Sequence, residues 1–116
     1  MAAGKYSFVI EQGATLNFQI DWTDSDGNPI DLTGYHARMQ VRPTVASETV
    51  IIELTTENGR ITLLDNTVTL DISADDTEAL PVGAYKYDLE IQTGAEVIRL
   101  VQGSFTVSPE VTRPTP

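Results

Sequence analysis

His36 is the first side chain to consider for chemistry, because imidazole is the commonest general base and a frequent metal ligand. It is the single histidine of the chain and falls on the predicted solvated face of a strand. A histidine metal site would need a second imidazole, and a serine triad would need a nucleophile elbow that the sequence lacks. The chain has no cysteine, which excludes disulfides, thiolate metal sites and a cysteine nucleophile. We therefore predict a protein that is not an enzyme and that carries no cofactor and no metal.

Two runs of acidic residues are candidates for calcium binding and for acid–base catalysis, respectively. The run from Asp24 to Asn28 has the opening spacing of a calcium loop, but its glycine is fourth rather than sixth and its twelfth residue is Tyr35 rather than glutamate. A turn between strands explains the run more simply. Asp75 and Asp76 fall in a predicted surface turn, without the apolar enclosure that raises a catalytic pKa.

The net charge of the chain argues against some classes of binding partner. The 116 residues carry 17 acidic and 7 basic side chains, a net charge of −10. This balance argues against nucleic acid and against anionic membrane surfaces as partners. No apolar stretch resembles a secretion signal or a membrane span, so we expect a single domain made in the cytoplasm and used without Sec-type export.

A locally basic segment stands out against this acidity. His36, Arg38 and Arg42 share one face of a predicted strand, in a stretch from residue 32 to 47 that has no acidic residue. One explanation is cross-strand pairing with Asp88 and Glu90. The other is a protein–protein interface that meets the acidic surface of another copy and orients a ring or stack. Arg113 completes the set of candidate interface residues.

The element pattern has a period of two. Residues 16–22, 35–41, 68–72 and 85–91 alternate apolar and polar side chains, which indicates strands with one buried face in antiparallel sheets. Residues 6–10, 50–54, 61–63 and 97–107 read as further strands, and glycine- and asparagine-containing turns separate them. Either a continuous register or a bulge at Gln102 and Gly103 would account for the last strand. Ser73 caps a short helical turn predicted near residues 74–80.

These elements predict an all-β fold: a two-sheet antiparallel, immunoglobulin-like sandwich of seven to nine strands. Residues 80–87 resemble the corner of such domains, in which a tyrosine hydroxyl bonds to the upstream backbone. Tyr85 would be the corner residue, and Tyr87 would stand in the place of the absent cysteine; alternatively, both are ordinary core aromatics. We predict a flexible N-terminus at 1–5, the sandwich at 6–108 and a proline-rich tail at 109–116, which is either a disordered end or an arm that docks on a neighbouring subunit.

The order of several motifs resembles a known group of proteins. The run from Trp22 to Tyr35 includes Gly27-x-Pro29-Ile30-Asp31-Leu32-Thr33-Gly34, and a strand with Arg38 and Arg42 follows it. Together with the ending from Arg99 to Pro109, it resembles small β-sandwich proteins of tailed bacteriophages and prophages, including the opening modules of upper baseplate and tail-fibre-associated proteins.

This resemblance implies a virion structural protein. Such proteins act in multiple copies, joining or decorating other virion proteins at a tail, baseplate, fibre or capsid, and the resemblance supplies no catalytic residue. It implies homo-oligomers in the particle, with no nucleic acid and no membrane as partners. The alternative is a carbohydrate-binding module, which would require an exposed row of aromatics such as Trp22, Tyr35 and Tyr87.

Overall fold

The computed structural model of the chain describes residues 4–109, which form nine strands and one short helix. In chain order, the elements are β1 (Gly4–Lys5), β2 (Phe8–Glu11), β3 (Leu16–Asp21), β4 (His36–Arg42), β5 (Ile52–Thr55), β6 (Ile61–Leu64), β7 (Thr67–Ile72), α1 (Ala74–Glu78), β8 (Gly83–Thr93) and β9 (Glu96–Ser108). The fold is all-β with two sheets, as the alternation predicts. Gly4 and Lys5, assigned above to the N-terminus, form the first strand, and Arg113 and most of the predicted tail lie outside the described residues. No helix in this part of the chain is long and apolar enough to span a membrane.

The larger sheet has the strand order β1-β9-β8-β4-β5, and β2 also pairs with β9. The pairing of β1 and β2 with β9 is parallel, with Gly4 opposite Val101 and Phe8 opposite Phe105. The prediction of purely antiparallel sheets is therefore wrong for this sheet, which is mixed. An alternating pattern reports that one face is buried, but it does not encode the direction of the neighbouring strand.

The smaller sheet is antiparallel, with the order β3-β7-β6. Leu16 lies opposite Ile72 and Asp21 opposite Thr67, so the apolar side chains of β3 and β7 share one face. The polar side chains of both strands share the other face, because successive residues of a strand point to opposite sides.

One hydrophobic core joins the inner faces of the two sheets. Phe8 of the larger sheet packs edge-on against Phe18 of the smaller sheet, with ring centroids 5.0 Å apart, and against Tyr87 at 5.1 Å. Tyr6 is 45% exposed, although its parity predicts a core position. Its ring covers the rim of this aromatic cluster, 4.8 Å from both Phe8 and Phe18.

The helix α1 lies within the predicted 74–80 segment and begins after Ser73, whose side chain accepts a hydrogen bond from the Asp76 amide as predicted. Thr77, the fully buried polar residue of the described core, fixes the helix to the turn between β2 and β3. Its hydroxyl accepts a hydrogen bond from the Gly13 amide at 3.1 Å and lies 2.8 Å from the Ala14 carbonyl. The turn between β2 and β3 and the α1 segment between β7 and β8 each connect one sheet to the other, and this contact joins the two connections.

Of the two alternatives for the last strand, the structure has a bulge rather than a continuous register, and this bulge lies earlier than Gln102 and Gly103. Leu89 pairs with Val101 whereas Glu90 pairs with Arg99, so Leu100 is the extra residue. Gly103 has a different role: a Cβ there would lie 2.1 Å from the carbonyl oxygen of Tyr6, which accepts the Tyr87 hydroxyl at 2.7 Å. Glycine at 103 therefore permits the N-terminal strand to approach β9.

The hydrogen bond predicted for Tyr85 is present. Its hydroxyl donates to the carbonyl oxygen of Pro81 at 2.8 Å, across the turn that leads into β8. Tyr87 is also buried, and its burial raises the pKa of its hydroxyl. Both rings therefore have a polar atom satisfied at the edge of the core.

Candidate functional site

The outer face of the larger sheet carries a shallow groove, here called the basic groove. It consists of two adjoining depressions of about 270 and 480 Å³ that share Val45, Lys86, Tyr87 and Gln102. Five of the seven basic residues of the chain line it: Lys5, Arg38, Arg42, Lys86 and Arg99. Asp88 and Glu90 are the acidic residues that line it. An otherwise acidic chain thus concentrates its positive charge on one surface.

Strand pairing explains this concentration. The strands β4 and β8 run antiparallel, with Arg42 opposite Lys86 and Arg38 opposite Glu90. Both strands alternate strictly, so their buried residues supply the core while their polar residues point outward. The register therefore places basic side chains from two distant segments of the sequence side by side.

Some of the basic side chains are held by local partners. Arg42 donates to the Ser47 carbonyl and to the Gln40 side chain, both at 2.6 Å, and thereby shapes the loop after β4. Arg99 lies 3.4 Å from the Asp88 carboxylate. Both partners in that pair are substantially solvated, so it contributes little to stability.

Three basic side chains are not held in this way. Within residues 4–109, the side chains of Lys5, Arg38 and Lys86 make no hydrogen bond and no ion pair. Beside them lies Val45, whose side chain is 87% exposed. The groove therefore combines available positive charge with an exposed apolar side chain. Guanidinium groups bind carboxylates through paired hydrogen bonds, so the arrangement suits an acidic protein segment.

The predicted site residues are only partly brought together. Arg38 and Arg42 line the basic groove, whereas His36 lines a neighbouring depression and contacts Glu57 at 2.9 Å. Asp88 and Glu90, the predicted cross-strand partners of this face, are its neighbours in the strand register, where Glu90 lies opposite Arg38 and Asp88 opposite Gln40. In the described part of the chain, however, neither Arg38 nor Arg42 forms an ion pair with them.

Four further groove residues, Lys5, Lys86, Arg99 and Val45, were not predicted from the sequence. Two of these could have been identified from the sequence. Lys86 falls on the predicted solvated face of its strand, and Arg99 interrupts the apolar alternation of the last strand. Val45 and Lys5 could not be identified in this way, because their position depends on where a loop and a parallel strand fold against the sheet.

The acidic run that resembled a calcium loop is a self-contained turn. One carboxylate oxygen of Asp24 accepts the amides of Asp26 and Asn28, each at 2.9 Å. These bonds, with the one from Asn28 foremost, lower the pKa of Asp24. Across residues 4–109, no group of three or more His, Cys, Asp or Glu side chains is arranged to hold a metal ion.

The aromatic row that a carbohydrate module would need is not on the surface. Trp22 and Tyr87 are buried, and Tyr35 is half-buried against the edge of the Trp22 ring.

No protein-family model matches the chain, and no curated protein matches it significantly in sequence.

Proposed function

We propose that this chain is a non-enzymatic structural protein of a tailed-bacteriophage virion, which joins or decorates other virion proteins in multiple copies. The observation that carries the proposal is the basic groove, a surface suited to an acidic protein segment in a chain of net charge −10. The resemblance of the segment from Trp22 to Arg42 to phage β-sandwich modules supplies the virion context. The tail, baseplate, fibre base and capsid surface are all compatible sites.

The groove fits a binding role better than a chemical one. Its lining side chains are basic, amide, hydroxyl and apolar, and its two carboxylates lie in an open, solvated surface. An exposed surface of this kind leaves carboxylates without the burial that tunes an acid or base for catalysis. We propose that the protein works without cofactor, nucleic acid or membrane, through contacts with proteins alone.

We further propose that the two sheets form an immunoglobulin-like sandwich. The bond from Tyr85 to the Pro81 carbonyl has the geometry of the tyrosine corner found in such domains. The shared core between a three-stranded sheet and a larger sheet is consistent with this arrangement.

Mass spectrometry of purified virions, combined with the mass of the protein in solution, tests the proposed function. We expect the chain in particles of the phage that encodes it. A strict monomer that is absent from every particle would end the proposal.

A matched pair of variants tests whether the basic groove is the binding surface. Arg38→Gln with Arg42→Gln removes two charges from the groove, and we expect it to reduce incorporation into particles. The control, Gln19→Glu with Thr62→Glu, makes the same change in net charge on exposed positions of the smaller sheet. Circular dichroism should report the same fold for both variants. Equal incorporation of the two would exclude the groove as the contact.

A further inference from the structure

A second surface complements the basic groove in charge. The loop after β3 and the turn between β6 and β7 lie together and carry no lysine or arginine; this surface is here called the acidic end. It comprises Asp21, Asp24, Asp26, Asp31, Leu64 and Asp65. Leu64 is 69% exposed, and it forms the apolar part of this surface.

Hydrogen bonds hold the acidic end in one shape. The Leu32 amide donates to the Asp65 carbonyl and the Trp22 amide to the Asn66 carbonyl, both at 2.8 Å. Asp24 and Asp31 are committed to local bonds, Asp31 with the Thr33 amide and hydroxyl. Since the surface is already ordered, binding through it would cost little conformational entropy.

We propose that the basic groove of one copy binds the acidic end of a second copy. The two surfaces match in kind: basic side chains beside exposed Val45 on one, and carboxylates beside exposed Leu64 on the other. The proposal deepens the proposed function, on which it rests, by naming the partner and its contact surface.

The positions of the two surfaces determine the form of the assembly. The acidic end precedes β4 in the chain and adjoins the His36 end of that strand, whereas Arg42 and Lys86 lie at its other end. A contact between two different patches is head-to-tail and leaves one free patch on each side. Copies joined in this way form a closed ring or an open stack rather than a twofold dimer.

Complementary charge reversal tests the contact. The groove variant carries Arg38→Glu and Lys86→Glu, and the end variant carries Asp26→Lys and Leu64→Lys. All four side chains are free of hydrogen bonds and ion pairs among residues 4–109, so both variants should fold. We expect the groove variant alone to be monomeric in analytical ultracentrifugation, because both of its surfaces are then net acidic. The end variant alone should associate more weakly than the unmodified chain, because its acidic end has lost negative charge and the exposed Leu64. An equimolar mixture should form one-to-one pairs, in which the unaltered groove of the end variant binds the unaltered acidic end of the groove variant.

Salt and a control variant sharpen the test. Two copies of net charge −10 repel at long range, so association should be strongest near 0.1 M salt, where the screening length is about 10 Å. It should weaken about tenfold or more at high salt, where the contact itself is screened. Glu78→Lys, a control for the end variant, changes the net charge in the same direction on α1, outside both surfaces, and should associate like the unmodified chain.

Two outcomes separate this inference from the proposed function. If the unmodified chain and the mixture both remain monomeric at millimolar concentration, the contact between copies is wrong. If the groove variant is then still excluded from virions, the groove binds an acidic segment of another virion protein and the proposed function stands. Absence of the unmodified chain from all particles would contradict the proposed function alone.

Discussion

The outer faces of the two sheets differ in how their polar side chains are satisfied. On the smaller sheet, Asn17 bonds Asp71 at 2.5 Å and Thr67 bonds Asp21 at 2.7 Å, so neighbours on the same face satisfy one another. On the larger sheet, Arg38 and Lys86 have no such partner within the described residues. The comparison indicates that these paired side chains of the smaller sheet serve the fold, whereas the Arg38 and Lys86 side chains of the larger sheet are available for contacts with a partner.

The largest effect is expected where the N-terminal strand meets the larger sheet. Gly103→Ala would place a methyl group 2.1 Å from the Tyr6 carbonyl, displacing the strand that positions Lys5. We expect a loss of about 3 kcal/mol in the free energy of unfolding, measured by urea denaturation. Gly27→Ala, where a Cβ meets nothing within 4 Å but φ is +84°, should cost only about 1 kcal/mol. Equal losses would show that the close approach at Gly103 is relaxed in solution.

The next largest effect is expected at Thr77, whose hydroxyl joins α1 to the turn between β2 and β3. Thr77→Val preserves shape but leaves the Gly13 amide without its buried acceptor. We expect a loss of about 2 kcal/mol in unfolding free energy. Thr77→Ser keeps the hydroxyl and should recover most of it, losing only about 0.8 kcal/mol for the methyl group. If serine were as damaging as valine, packing rather than hydrogen bonding would hold α1.

A direct test of the comparison substitutes matched outward positions on the two faces. Asn17→Ala with Thr67→Val removes two bonds from the smaller sheet and should lower the unfolding free energy by about 1 kcal/mol. Arg38→Ala with Lys86→Ala should change it by less than about 0.5 kcal/mol, because no described bond is lost. Chemical denaturation of both variants measures the difference. A reversed order would mean that the basic groove stabilises the fold.

The smallest effect is a pH dependence at the acidic end. Hydrogen bonds from the Asn28 amide and from Thr33, respectively, lower the pKa of Asp24 and Asp31 below 3.8 in the folded chain. Their stabilisation is present above that value, because the unfolded chain binds protons first, and is lost as pH falls through the lower folded values. The urea concentration at the midpoint of unfolding should therefore decrease as the pH is lowered below about 4. It should fall less steeply for Asp24→Asn with Asp31→Asn, and equal slopes would contradict the assignment.

The sequence predicted local features well. The alternation located β3, β4, β7 and β8, because each has one face in the core and one in water. The Ser73 cap and the Tyr85 bond were also predictable, since both depend on residues within four positions along the chain.

Features that depend on distant segments were not predictable. The parallel pairing of β2 with β9 joins residues about a hundred positions apart, and nothing in the pattern of Phe8 to Glu11 reports its direction. The basic groove is of the same kind. Arg38 and Arg42 could be identified as a basic stripe, but Lys86, Arg99 and Lys5 join them only through the strand order of the larger sheet.

The parallel arrangement of the terminal strands also has a mechanical consequence. Tension applied to Gly4 and Ser108 would pull β1 and β2 along β9 in opposite senses, so their hydrogen bonds bear the load together in shear. Antiparallel terminal strands would instead open one bond at a time from an end. A chain pulled at both ends in a force spectrometer should therefore yield in one high-force event. Gly103→Ala, which disturbs this seam, should lower that force, whereas Gly27→Ala should not.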